Sequence, residues 1–395
     1  MLTSIASSGF GFIFWMLAAK LYPKEDVGIA TAMISSLTLL VLLSRFGLDQ
    51  SIIRFFPEND KTKVFNTALT ITTLGAILFG VIFILGIDFW SPNLGILKSK
   101  YALLYIFFLI AASIISITGV SFVAMRRSEF NFLQSLVVGS RIIFLFPLVF
   151  LGSLGVFGAV GISFLFAVIF ALFVISRLGV KPSIKIDKKF LNDSLHFSAG
   201  NYFAGLFLMA PNQLLPIMVL NVLGASKAAY YYISYMIASL LFMIPNAISM
   251  SLFVEGSHGE SLRKTTIKSL AAIFLLLIPT VVLLYFAGGW LLSLVGKDYV
   301  EGISLLRIMV LTSIFVAITS VYFSIKRIQK DIKGLIFISG LIFLLLPILG
   351  YIFMLQFDLV GIGYAWIVSY GISAFIIKVS ECRAMVKSKE ERKRL

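Results

Sequence analysis

The sequence predicts an all-α membrane protein: twelve transmembrane helices in two six-helix pseudo-repeat lobes of the same orientation around a central cavity. Three observations carry this expectation. Hydrophobic residues make up 59% of the 395 and charged residues 13%, with a mean hydropathy of +1.03, and a soluble chain of that make-up lacks the polar residues to cover its surface. The apolar residues fall in runs of the roughly 20 residues that cross a hydrocarbon core. Finally, two stretches 200 residues apart repeat one another: Arg126-Arg127-Ser128 opens a run that reaches Leu145-Phe146-Pro147, and Lys326-Arg327-Ile328 opens one that reaches Leu345-Leu346-Pro347. Beyond each proline, Val156-Phe157-Gly158-Ala159 aligns with Leu359-Val360-Gly361-Ile362. Duplicated halves that cup a site between them are the build of a carrier.

Taken in order, the spans are expected at 3 to 21, 27 to 53, 64 to 87, 101 to 124, 132 to 151, 155 to 176, 194 to 221, 227 to 253, 267 to 291, 300 to 324, 334 to 355 and 358 to 379. Runs this long and continuous lack the short alternation of a barrel, so helices are what satisfies their backbone in lipid. The first run has no preceding Lys or Arg and no small-residue cleavage site, and reads as a retained span. Residues 1–180 then form an N-terminal lobe and 194–380 a C-terminal one; 181–193, with Pro182 and several lysines, is a cytoplasmic linker, and 381–395 a basic cytoplasmic tail.

The 33 Lys and Arg give a net charge of +15. They cluster between apolar runs, so they report topology and attraction to lipid headgroups, with no nucleic-acid partner implied. Segments after even-numbered spans carry most of them, and both termini are therefore expected in the cytoplasm of a multi-pass cell-membrane protein. Short outer loops leave no room for an external catalytic domain. The single Cys382 excludes an internal disulfide, two histidines leave little for a metal, no phosphate loop is present, and no cofactor is expected.

Three arginines fall inside expected spans: Arg45, Arg141 and Arg307. Each costs about 2.5–3.5 kcal/mol on insertion scales and should face protein or water. Arg141 is about nine residues, roughly 14 Å, from the cytoplasmic end of its span, and its repeat partner is the apolar Leu341. It reads as a cavity-facing anion contact, the alternative being a helix-packing hydrogen bond. Arg45 stands four residues before Asp49, so a local pair on one helix face competes with a site role. Arg307 lies within snorkelling reach of the outer surface. In the seventh span, Pro211 and Pro216 are candidate hinges, and Asn201, Asn212 and Gln213, with Asn246 beside Pro245 in the eighth, are candidate cavity-lining polar groups or partners for freed carbonyls. His196 is expected at the interface and Gly288-Gly289 at a close helix contact. Carboxylates are nearly missing from the spans, which disfavours an ion relay.

The segment Leu21-Tyr22-Pro23-Lys24-Glu25-Asp26-Val27-Gly28, then Arg45-Phe46-Gly47-Leu48 and Ile53-Arg54-Phe55-Phe56, resembles the opening of polysaccharide flippases of the O-antigen (Wzx) type, within the multidrug, oligosaccharidyl-lipid and polysaccharide exporter superfamily. Gly302-Ile303-Ser304-Leu305-Leu306-Arg307-Ile308 and the six-plus-six layout are similar too. The resemblance covers essentially the whole chain. It implies no enzyme activity but transfer of a polyprenyl-(pyro)phosphate-linked oligosaccharide from the cytoplasmic to the outer leaflet, with membrane lipids and glycan-assembly proteins as surroundings and a monomer as the working unit. An arginine fork suits the pyrophosphate of such a substrate. The competing readings are an ion-coupled multidrug exporter, which should carry buried carboxylates, and a polyprenyl-dependent glycan polymerase or glycosyltransferase, which should carry a sizeable outer loop.

Overall fold

The computed structural model describes every residue except Met1, Ser99, His258, Gly259 and Leu395, and every side chain except those of residues 2, 4, 5, 195 to 197 and 381 to 394. The His196 side chain and the charges of the tail therefore lie outside the described residues. By internal contacts the chain forms two compact units, 1–232 and 233–395.

In the first unit α1 (Leu2–Leu21) is followed by Pro23, whose fixed φ of −53° starts α2 (Lys24–Ser44) without needing a donor. The expected second span, 27 to 53, does not run through. Phe46 and Gly47 take φ of 48° and 77°, and α3 (Leu48–Phe55) sets off separately. Glycine adopts this left-handed backbone without a Cβ penalty. The Phe46 ring holds the turn, packed 5.9 Å from the Phe79 ring and against Gly75, where a Cβ would stand 2.7 Å away. α3 is one-sided: Leu48, Ser51 and Ile52 are buried while Gln50, Ile53 and Arg54 are exposed. The correction moves Arg45 from the interior of a span to its end.

Asp60 caps α4 (Lys61–Leu85) by accepting from the Thr62 and Lys63 amides. After the short α5 (Ile87–Trp90) and a 3-10 turn comes α6 (Ala102–Ala124). The fifth span, expected as one helix from 132 to 151, is instead α7 (Ser128–Gly139), the single turn α8 (Arg141–Phe144) and a 3-10 turn at Val149–Leu151. Pro147 lacks the N–H that would bond Ile143 and disfavours helix at the residue before it. The Leu145 carbonyl instead accepts from the Tyr22 hydroxyl at 2.7 Å. Upstream, the Ser140 and Ile143 amides bond three residues back, to Val137 and Ser140, at 3.0 and 2.9 Å. α9 (Ser153–Arg177) begins at Gly152, φ 58°, where Asp26 accepts from the Ser153 amide at 2.9 Å.

The stretch expected as a linker is partly helical and partly docked. α10 (Lys188–Leu223) starts at the Asp187 cap, and the loop before it is fastened to α4: the Asn66 amide donates to the Lys181 carbonyl at 3.0 Å and accepts from the Ser183 N–H at 2.9 Å. α10 stays helical through Pro211 and Pro216. α11 (Ala225–Ser257) begins in the first unit and ends in the second.

The second unit continues with α12 (Leu262–Val295), α13 (Ile303–Ile328) and α14 (Ile332–Arg394), the last holding two helices joined at Asp358. A Cβ on Gly288 would stand 2.9 Å from Leu306, a close α12–α13 contact. Trp366, 1% exposed, stacks on Tyr370 at 5.3 Å and Phe242 at 5.6 Å. Nine described helices are long and apolar enough to span a membrane. Three further segments complete the twelve: the shorter apolar helix Ala6–Leu21, the broken α7–α8 stretch, and the second half of α14 beyond Asp358.

The repeat is written in the backbone. Positive φ ends the fourth and tenth spans, at Arg126 (59°) and Lys330 (57°). Gly152 (58°, −132°) and Asp358 (56°, −142°) make the same corner between the last two spans of each half. Large side chains such as Leu103, Leu275 and Phe286 are at least 75% exposed, the inversion expected where lipid is the solvent. Inside, Ser36, Ser163 and Ser313 donate to carbonyls three residues back at 2.6 to 2.8 Å, so these three small polar residues let helices approach with their hydroxyls satisfied.

Candidate functional site

Arg141 sits where α7 gives way to α8. Because α7 starts at Ser128, the arginine is 13 residues into the segment, past the end of α7 at Gly139. Its guanidinium carbon lies 4.8 Å from the centre of the Phe14 ring, which is fully buried. Gly11, one turn earlier on α1, leaves the space: a Cβ there would stand 3.4 Å from an Arg141 terminal nitrogen. Gly139 fixes the register of the two helices, since its own Cβ would meet the Phe10 ring at 3.0 Å. The Tyr232 ring lies 4.6 Å from that of Trp15, tilted by 56°. Among the described residues Arg141 makes no ion pair, and its Nε is buried without a hydrogen-bond partner.

The energetics leave this charge unfinished. A desolvated cation–π contact returns up to about 2 kcal/mol, against about 2.5–3.5 kcal/mol for placing the arginine at that depth. The fork faces an aromatic ring and keeps donors for an anion.

Toward the Ser128 end of the same seam, a cavity of about 400 Å³ lies between α1, α3, α6 and α7. Ser7, Ser116, Asn131, Gln134 and Ser135 give it its polar lining, and Gly119 leaves room among them. None of these six was among the residues singled out from the sequence. Only the fold brings them to one space.

The remaining candidates are dispersed. Arg45 pairs with Asp49 at 3.9 Å, the local arrangement its spacing allows, while its Nε is buried without a partner. Asn201 is exposed; Asn212 donates to the Leu208 carbonyl at 3.4 Å, within its own helix, and Gln213 beside it is half-buried. Pro211 and Pro216 deprive the carbonyls of residues 207 and 212 of helical donors. In the second unit, Asn246 accepts from the Ser320 hydroxyl at 3.1 Å, tying α11 to α13. Arg307 is exposed, donating to the Tyr285 carbonyl at 3.2 Å with that ring 5.3 Å away. Of the candidates, Arg141 alone combines a mid-segment position, a buried Nε and the lack of an ion-pair partner among the described residues.

Residues 1–253 match the polysaccharide biosynthesis protein family. The chain belongs to that family. The matched region takes in the whole first unit, including Arg141 and the cavity. Over nearly its full length the family member is also similar to a putative O-antigen transporter of Shigella flexneri, with 24% identity across 95% of this chain and 93% of that protein. An uncharacterized membrane protein of Methanocaldococcus jannaschii is 22% identical across 96% of this chain and 95% of its own. Among solved structures, the lipid II flippase MurJ in an inward closed conformation superposes with a TM-score of 0.77 at 17% identity, over 96% of this chain and 87% of that one. An inward-facing multidrug resistance MATE family transporter of the MOP superfamily gives 0.69 at 15%, over 96% of both chains. These likenesses establish a MOP-type fold for this polysaccharide biosynthesis membrane protein.

Proposed function

We propose that this chain is a flippase that carries a polyprenyl-(pyro)phosphate-linked oligosaccharide from the cytoplasmic to the outer leaflet by alternating access, for cell-surface polysaccharide synthesis. Residues 1–180 and 194–380 rock as lobes against each other, with both termini cytoplasmic and Pro211 and Pro216 as hinges. The observation that carries the reading is Arg141: a half-buried guanidinium whose Nε is buried without a hydrogen-bond partner and which makes no ion pair among the described residues. A buried charge without a counter-charge is costly to the folded protein alone, and a compact phosphate anion is the ligand whose geometry completes the fork. Membership of a polysaccharide biosynthesis family supports the glycan end of the substrate. Similarity to an O-antigen transporter and to the fold of a lipid II flippase supports a lipid carrier.

The test compares Arg141→Lys with Arg141→Leu, reading membrane protein level and outward delivery of the lipid-linked glycan. Lysine keeps the charge and loses the fork, so delivery should fall roughly 10-fold or more, the loss of a charge-assisted bidentate contact. Leucine should abolish delivery while the protein accumulates as well as the unaltered chain. Full delivery by Arg141→Leu removes this residue from the site and, with it, the reading's main support.

A further inference from the structure

We infer that the cavity between α1, α3, α6 and α7 is a neutral-sugar subsite, taking the sugar next to the phosphate in the lipid-linked glycan. The inference rests on the flippase reading and adds where the glycan is recognised. The position fits. Ser7 precedes Gly11 by four residues and Ser135 precedes Arg141 by six, so the cavity is about 6 to 9 Å along the helices from the arginine seat. A pyrophosphate carrying one sugar ring covers that reach.

Its lining selects the chemistry. Among the described residues no charged side chain lines the space, so it offers no counter-charge to a phosphate or an ammonium group. It offers hydroxyls and amides together with the apolar side chains of Ile53, Ile115, Val120 and Val138. A pyranose ring presents the same pair of surfaces, hydroxyls at its edge and C–H groups on its face.

The polar groups are partly fixed and partly waiting. Gln134, 4% exposed, accepts from Thr118 Oγ1 at 3.1 Å and donates to the Ile115 carbonyl at 3.0 Å, which makes it a rigid post. Ser116 Oγ is buried with no hydrogen-bond partner. A buried hydroxyl in that state costs about 1–3 kcal/mol, recoverable by a ligand hydroxyl. Gly119 makes room for the Asn131 amide, whose Oδ1 would stand 3.0 Å from a Cβ at that position. The cavity volume of about 400 Å³ falls within the ~300–1,000 Å³ of small-molecule sites.

The experiment uses the full chain in nanodiscs with Cys382→Ser and Ser135→Cys, and follows maleimide labelling at position 135. The probes are a polyprenyl phosphate and the same lipid carrying one neutral hexose. The hexose-bearing lipid should slow labelling about fivefold beyond the bare lipid, the worth of one net hydrogen bond, and Asn131→Leu should erase the difference. Gly119→Val, which fills the cavity in the chain with position 135 unaltered, should cut retention of the hexose lipid about fivefold and leave retention of the bare lipid as it was. Equal protection by both lipids, or hexose-lipid retention unchanged in Gly119→Val, overturns the subsite. Glycan delivery by the unaltered chain is read separately. Delivery without sugar-specific protection removes the subsite and leaves the flippase; protection without delivery keeps a sugar site and removes the transport reading.

Discussion

Arg141 and Phe14 illustrate how a single charge is accommodated at membrane depth. The ring face of Phe14, 4.8 Å from the guanidinium carbon, offers quadrupole attraction where no carboxylate is paired with the arginine. Phe14→Leu keeps an apolar side chain and removes that face. The expected outcome is a loss in thermal unfolding larger by about 0.5–2 kcal/mol in the unaltered chain than in Arg141→Leu, where only lost packing remains. A double-mutant cycle measures this coupling, and equal losses in both backgrounds would mean that Phe14 acts through packing alone. Arg45 is the contrasting case, with Asp49 at 3.9 Å supplying a counter-charge across the break between α2 and α3.

At the scale of elements, the corners matter more than the helices. Gly152 joins the fifth and sixth spans with φ 58° and ψ −132°, and the Asp26 carboxylate, arriving from α2, caps α9 at Ser153. An alanine Cβ at 152 would stand 2.8 Å from Asp26 Oδ1 on a backbone that L residues avoid. Gly152→Ala should therefore destabilise the protein by about 1–3 kcal/mol, seen as a lower unfolding midpoint. An unchanged midpoint would show that the corner relaxes freely. The Pro147 break has a similar logic: it ends the helix, frees the Leu145 carbonyl for Tyr22 and leaves Arg141 at the start of a single turn.

For the whole molecule, the distribution of basic residues sets the expected orientation. Single cysteines placed at Lys185 and Lys389 in a Cys382→Ser background should react with impermeant reagent only after the membrane is opened. Labelling of either from outside intact cells would invert the topology and turn the cavity beside Arg141 toward the opposite leaflet.

Hydrophobic composition and run length determined by themselves that this chain is an all-helical membrane protein, because the backbone in lipid has so few solutions. The internal repeat was also legible, and it reappears as matched corners at Arg126 with Lys330 and at Gly152 with Asp358. Arg141 stood out because charge at membrane depth is rare for an energetic reason. Tertiary structure decided the breaks at Phe46-Gly47 and before Pro147, since a one-turn interruption leaves the hydropathy of a run unchanged. It also showed the 178 to 187 loop fastened to α4 by Asn66 and Thr67, where composition suggests a free linker. The cavity was invisible in the sequence for the same kind of reason: Ser7, Ser116, Asn131 and Gln134 come from three helices, and only their packing gives these ordinary polar residues a shared space.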